Sequence, residues 1–195
     1  MGLHTLAAVA AHALEVKHSR FLAQAAPVLS ADAATAWLRD AGDRDATHNC
    51  WAWRIGDDYR SSDDGEPAGT AGRPILAAMD GQGFDRVVVV VTRWYGGIKL
   101  GAGGLVRAYG GAAAACLRAA ARVPIVPVVD IEIAFPFAET GAVHALLAIP
   151  GRERLGESFE AGGCRLRMRV PADTLDDLKL KLRDATRDRA TVSIL

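Results

Sequence analysis

Three short stretches of the first 110 residues combine side chains that can do chemistry. The stretch Ser61-Ser-Asp-Asp-Gly-Glu-Pro-Ala-Gly-Thr-Ala-Gly72 sets three carboxylates, Asp63, Asp64 and Glu66, and the hydroxyl of Thr70 among turn formers. Oxygen donors grouped in this way suit a hard cation such as Mg²⁺. The competing reading is an Asx-type loop in which the carboxylates accept backbone N–H groups. Upstream lies His48-Asn-Cys50. Zinc would need two further ligands there, and Cys116 and Cys164 stand alone. The His-x-Glu and Pro-Cys-x-x-Cys pattern of a zinc deaminase is absent. Two residues apart on a strand, His48 and Cys50 face the same way, so a Cys–His nucleophile pair is one reading and a buried, inert thiol the other.

The third stretch runs from Arg93-Trp-Tyr-Gly-Gly-Ile-Lys-Leu-Gly-Ala-Gly-Gly to Arg107 and Tyr109, with glycines at 96, 97, 101, 103 and 104. A Gly-rich turn opening a helix exposes backbone N–H groups where the dipole favours an anion. A dinucleotide fingerprint fails because position 106 is Val, and a P-loop fails because Ala102-Gly103 stands where Lys-Ser/Thr is needed. Residues 86–107 hold Arg86, Arg93, Lys99 and Arg107 and no acid. Basic and aromatic side chains around glycines suit phosphate and base contacts in a single strand of nucleic acid. The alternative is that the glycines permit only tight turns and close packing. Further on, Arg165, Arg167 and Arg169 alternate with Leu166, Met168 and Val170, which places three guanidinium groups on one sheet face. They could contact phosphates, or be balanced by Glu153, Glu157 or Glu160 on a neighbouring strand.

The elements that must position these groups follow from periodicity. The buried run Val87–Val91 reads as a central strand covered on both faces. Strands are expected at 21–29 and 50–55, a helix capped by Ser30 through Trp37 and Leu38, and a long Ala-rich helix over 104–121. Two prolines in Arg122-Val-Pro-Ile-Val-Pro127 mark a boundary near residue 126. After it come a strand at 128–137, a helix capped by Thr140, strands at 152–159 and 164–170 joined at Gly162-Gly163, a helix capped by Asp173, and a strand at 191–195. That order is the split βαβ, ferredoxin-like arrangement. The expectation is an α+β chain with domains at 1–125 and 126–195.

The chain has 195 residues, with 23 Lys+Arg against 23 Asp+Glu. The zero balance excludes attachment to nucleic acid or membrane by bulk charge. It conceals separated poles, since residues 57–66 carry five acids against one Arg. Three widely spaced cysteines speak against a disulfide framework and for a reducing compartment. Met1–Leu14 is apolar but lacks the Lys or Arg of a signal peptide and is too short to span a bilayer. The expected location is cytoplasmic, with no membrane partner.

Four ordered motifs, Lys17-His-Ser-Arg-Phe21, His48-Asn-Cys-Trp-Ala52, Ser62 to Gly72 and Arg93 to Leu105, resemble the Impact family, known in bacteria as the YigZ proteins. His18 and Trp94 depart from the Lys and Tyr of the family pattern. The resemblance implies a first domain like domain 2 of ribosomal protein S5. It implies a second like the C-terminal ferredoxin-like domain of elongation factor G. Eukaryotic relatives regulate translation by competing for a protein activator of an initiation-factor kinase, a partner that does not carry over to bacteria. No enzymatic activity is firmly attached to the family.

The expectation is a cytoplasmic binding protein acting on translation through RNA or the ribosome. Its anion-contacting residues would be Ser19, Arg20, Arg93, Tyr95, Gly96, Gly97, Lys99, Gly101, Gly103, Gly104 and Arg107, extended by Arg165, Arg167 and Arg169. His48, Cys50, Asp63, Asp64, Glu66 and Thr70 form a motif cluster of unassigned role. No metal ligands and no cofactor are assigned, Mg²⁺ at the acidic loop being the one option. The alternatives are an enzyme of phosphoryl transfer or hydrolysis using the same cluster, and a module that binds a regulatory protein.

Overall fold

The computed structural model describes residues 3–195. The chain divides into two compact units, 1–125 and 126–195.

The first unit contains β1 (His4–Leu6), β2 (Ala10–Val16), β3 (Ser19–Pro27), α1 (Ala31–Ala41), β4 (His48–Ile55), β5 (Asp58–Ser62), α2 (Gly72–Gly81), β6 (Val87–Trp94), α3 (Ala102–Ala119) and β7 (Arg122–Pro124). Five strands form an antiparallel sheet in the order β2-β3-β6-β4-β5, and β1 pairs with β7 in a small ribbon. The valine run makes β6 the central strand. Val87, Val89 and Val91 enter the core beneath α2 and α3, and Val88 packs with Ala34 and Trp53 beneath α1. Burial on both faces thus occurs in an antiparallel sheet, because helices cover both sides. Ser30 caps α1 by accepting the Ala33 N–H at 3.1 Å.

The period of two decides what shares a face. Arg93, opposite Phe21 and His48 in register, lies on the α2/α3 face, and Trp94, opposite Arg20, lies on the other. Strands β2 and β5 and helix α2 were not expected from the sequence. The edge strands mix Ala, Glu, Asp and Arg without clean alternation. Helix α2 carries Pro74 in its first turn and receives no cap from its own N-cap residue, Ala71.

The second unit contains β8 (Val128–Phe135), α4 (Thr140–Leu147), β9 (Glu153–Glu160), β10 (Gly163–Pro171), α5 (Leu175–Thr186) and β11 (Thr191–Ile194). The antiparallel order β11-β8-β10-β9 is that of a split βαβ sheet. Ile131, Ile133, Leu166 and Met168 meet Val143, Leu178 and Leu182 in its core. Three local expectations are corrected. Neither Thr140 nor Asp173 is an N-cap, because each helix is entered through a single 3₁₀ turn, Phe137–Glu139 and Ala172–Thr174. The β9–β10 turn is Ala161-Gly162, and Gly163 already belongs to β10. A Cβ at Gly163 would lie 2.1 Å from the Phe135 carbonyl oxygen, so close strand approach requires glycine there. Among the described residues no helix is long and apolar enough to cross a membrane.

Candidate functional site

On the α2/α3 face, the ends of β3, β4 and β6 meet the 63–72 loop and the start of α3. A polar cluster is buried there. Glu66 Oε1 accepts from Arg93 Nη1 at 2.6 Å and from the Tyr109 hydroxyl at 2.7 Å, with both partners buried. Arg93 Nη2 donates to Ser19 Oγ at 3.3 Å, and the same oxygen accepts the Gly96 N–H at 3.2 Å. A buried carboxylate and guanidinium persist only when paired and hydrogen-bonded. Glu66 therefore ties strand β6 to helix α3 through its loop. Tyr109, edge-on to Phe21 at 5.3 Å between centroids, belongs to this cluster but was not assigned to the site from sequence. Its spacing of four from the buried Leu105 was the available signal.

Above the cluster opens a pocket of about 490 Å³. Its polar lining comes from His48, Glu66, Arg93, Tyr95 and Lys99, and its apolar lining from Pro67, Leu100, Ala102 and Leu105. His48 Nδ1 lies 2.7 Å from the Asp64 carbonyl oxygen. A carbonyl only accepts, so Nδ1 carries the proton, and in the neutral tautomer this leaves Nε2 as the acceptor. That Nε2 is 3.9 Å from Glu66 Oε1. Tyr95 is 46% exposed, with one face over the Arg93 guanidinium at 5.4 Å, and its N–H is held by Thr47 Oγ1 at 2.9 Å.

Helix α3 begins at this pocket. Gly101 precedes it at φ +72°, no side chain caps it, and its first turn holds no acid. Its first N–H groups and the dipole leave a positive end. Across Leu100 lies a second cleft of about 180 Å³, lined by Lys17, Gly104 and Arg107 among others. Arg107 folds back toward the first turn, its Nη1 3.7 Å from where a Cβ at Gly103 would stand. Among the described residues, Lys17, Lys99 and Arg107 have no carboxylate within salt-bridge distance.

Other residues marked in the sequence hold the site rather than face it. Asp63 Oδ1 accepts from Ala71 N and Gly72 N at 2.9 and 2.8 Å, and Oδ2 from Gly69 N at 2.7 Å. Burial alone would raise this carboxyl. The three N–H groups and nearby Arg73 outweigh it and hold Asp63 below the ordinary carboxylate range. Asp64 Oδ2 accepts from Asn49 N at 2.6 Å, and Thr70 Oγ1 donates to the Pro67 carbonyl at 2.6 Å. The stretch is thus an Asx-type clamp. Among the described residues no group of three or more His, Cys, Asp or Glu side chains is placed to hold a metal ion.

Cys50 donates to the Asp63 carbonyl, with Sγ at 2.9 Å, and not to His48, so the two form no nucleophile pair. Burial pushes its thiol up to about 12, which keeps it protonated. Gly96 serves packing, since a Cβ there would stand 2.0 Å from the His18 carbonyl oxygen in the β2–β3 turn. Gly97 takes φ +85° in open space. Arg20 lies on the opposite sheet face, stacked on Trp94 at 4.0 Å, away from the pocket.

Arg165, Arg167 and Arg169 belong to the second unit, and all three are ion-paired. Arg165 meets Glu132 and Glu160, Arg167 meets Glu132, and Arg169 meets Asp130 and Glu153. Of the three expected partners, Glu157 instead meets His144 and Arg154.

Comparison with known proteins places this geometry in a family. The family model described as the Impact N-terminal domain matches residues 17–117. A Thermus thermophilus protein named as an IMPACT family member in the pol 5′ region is 48% identical over 91% of this chain and 98% of its own. The IMPACT family member YigZ of Escherichia coli is 37% identical over 89% and 88%. A crystal structure titled only as a hypothetical protein superposes with a TM-score of 0.73 at 33% identity, covering 100% of this chain and 98% of that one. The rat Protein IMPACT shares 39% identity over 44% of this chain and 29% of its own length. The residues that line the pocket, from Thr47 to Leu105, all fall inside the matched family domain, and the chain belongs to the IMPACT family.

Proposed function

We propose that this chain is a binding protein that takes single-stranded RNA across the start of α3 and acts on translation through that contact. One observation carries the reading. Two clefts flank Leu100 at the uncapped, acid-free start of an 18-residue helix. Their rims hold Lys17, Lys99 and Arg107, cations that no carboxylate neutralises among the described residues. Cations at a helix N-terminus repel its dipole, so the arrangement favours an anion that meets both. Tyr95, pinned over Arg93 and open on its other side, offers the stacking surface that single-strand sites use. Arg93 itself is buried and paired, so it supports Tyr95 and does not reach phosphate.

The test is fluorescence anisotropy of the whole chain with a labelled oligouridylate over a salt series. Two or three neutralised phosphates give a slope of log K on log salt of roughly −1.4 to −2.1. The triple variant Lys17→Gln, Lys99→Gln, Arg107→Gln is expected to flatten the slope and weaken binding more than tenfold at low salt. Cosedimentation with ribosomes in the same buffers extends the test to translation. Absence of binding to RNA and to ribosomes at low salt overturns the proposal.

A further inference from the structure

We infer that the pocket selects RNA over DNA because His48 Nε2 accepts a hydrogen bond from a ribose 2′-hydroxyl. The inference deepens the reading above and rests on it. At about 490 Å³ the pocket is in the size range of a small-molecule site and holds about one nucleotide. Its walls have opposite characters. On the α3 side lie Lys99 and the uncapped helix start, which attract a phosphate. On the β4 side lie His48, with Nδ1 engaged by the Asp64 carbonyl, and Glu66, already paired with Arg93 and Tyr109, so the free cation of the lining stands on the α3 side. The polarity therefore sets the orientation, with phosphate toward α3, base on Tyr95 at the rim, and sugar toward β4.

The acceptor at β4 is built rather than incidental. The His48 ring is fixed through Nδ1 on the Asp64 carbonyl at 2.7 Å, and Asp64 is itself anchored to Asn49 N at 2.6 Å. Gly65 borders the ring, where a Cβ would stand 3.5 Å from Nδ1 and Cε1. The side chain is only 21% exposed, so Nε2 is held in place rather than free to swing. Between base and phosphate, the 2′-hydroxyl is the donor that RNA has and DNA lacks.

The experiment compares oligouridylate, its 2′-deoxy form and its 2′-fluoro form by anisotropy at one low salt concentration. The 2′-fluoro strand keeps an RNA-like sugar but has no donor. The native chain is expected to favour the RNA strand about fivefold over both others, the worth of one net hydrogen bond. His48→Ala is expected to bind all three with the affinity the native chain has for DNA. His48→Gln, which restores an acceptor oxygen, is expected to recover part of the preference. Thermal melting of each variant checks that it is folded. Equal binding of the three strands by the native chain, or a preference that survives His48→Ala in a folded protein, overturns this inference alone. Loss of all binding overturns the RNA reading and this inference with it.

Discussion

Glu66 and Arg93 meet at 2.6 Å in side chains 4% and 6% exposed, and the site is arranged around that pair. Removing one partner of a buried ion pair leaves the other uncompensated, at a cost of about 3–5 kcal/mol. Glu66→Leu and Arg93→Met are each expected to lower the unfolding free energy by about that much. The double variant should lose clearly less than the two single losses added, because the second change removes a charge already stranded. Urea denaturation of the four proteins measures it, and strict additivity would mean the pair is not energetically coupled. From the sequence, both residues stood out as chemistry-bearing, Arg93 as an anion contact and Glu66 as one of a cluster of unassigned role. Their pairing joins positions 27 apart and depends on the loop turning inward, which no local spacing encodes.

At the scale of elements, α2 owes its start to a residue nine positions upstream. Asp63 accepts the N–H groups of Ala71 and Gly72, and its charge complements the helix dipole. Loss of a capping side chain costs about 1–2 kcal/mol, so Asp63→Ala is expected to lower stability by that amount at pH 7. The pH dependence follows from the sign of the shift. The folded carboxyl is held below its ordinary value, so its contribution is complete above about pH 3.9, the usual aspartate value, and is lost as pH falls through the lower folded value. Urea midpoints of the native chain and Asp63→Asn between pH 7 and pH 2.5 test this. The difference between them is expected to shrink only below about pH 4, and a difference constant over that range would refute the account. The acidic turn was legible in sequence as an Asx-type loop. That it caps a helix was not, because the helix itself is masked by Pro74 and by glycines at 72 and 81.

At the scale of the whole molecule, each unit has its own core, and the pocket-lining residues all lie between 47 and 105. Residues 1–125 alone are therefore expected to keep RNA affinity within about threefold of the full chain. Replacing Arg165, Arg167 and Arg169 together by Gln in the full chain is expected to leave affinity nearly unchanged. Their charges already face Asp130, Glu132, Glu153 and Glu160, and exposed pairs of this kind contribute little by themselves. A large loss of affinity in either protein, by anisotropy, would place part of the RNA surface in the second unit.

By itself the sequence determined the elements that period and punctuation encode. The valine run became the central strand, Ser30 capped α1, the Pro124–Pro127 stretch spans the division between the units, and period-two alternation marked β8 and β10. These are local properties, decided by which side of a strand or helix a residue occupies. Tertiary structure alone decided which marked residues face the pocket. His48 and Arg93 became neighbours because β4 and β6 pair in one register, and a slip of β4 by one residue would send His48 to the α1 face. Arg20, one residue from Ser19 and as basic as Arg93, was turned away by the same alternation. Lys17 joined Arg107 only because a hairpin and a helix start meet across Leu100. Faces are periodic and can be read along a chain. Convergence depends on register and on loop closure between distant segments, and no short stretch of sequence contains it.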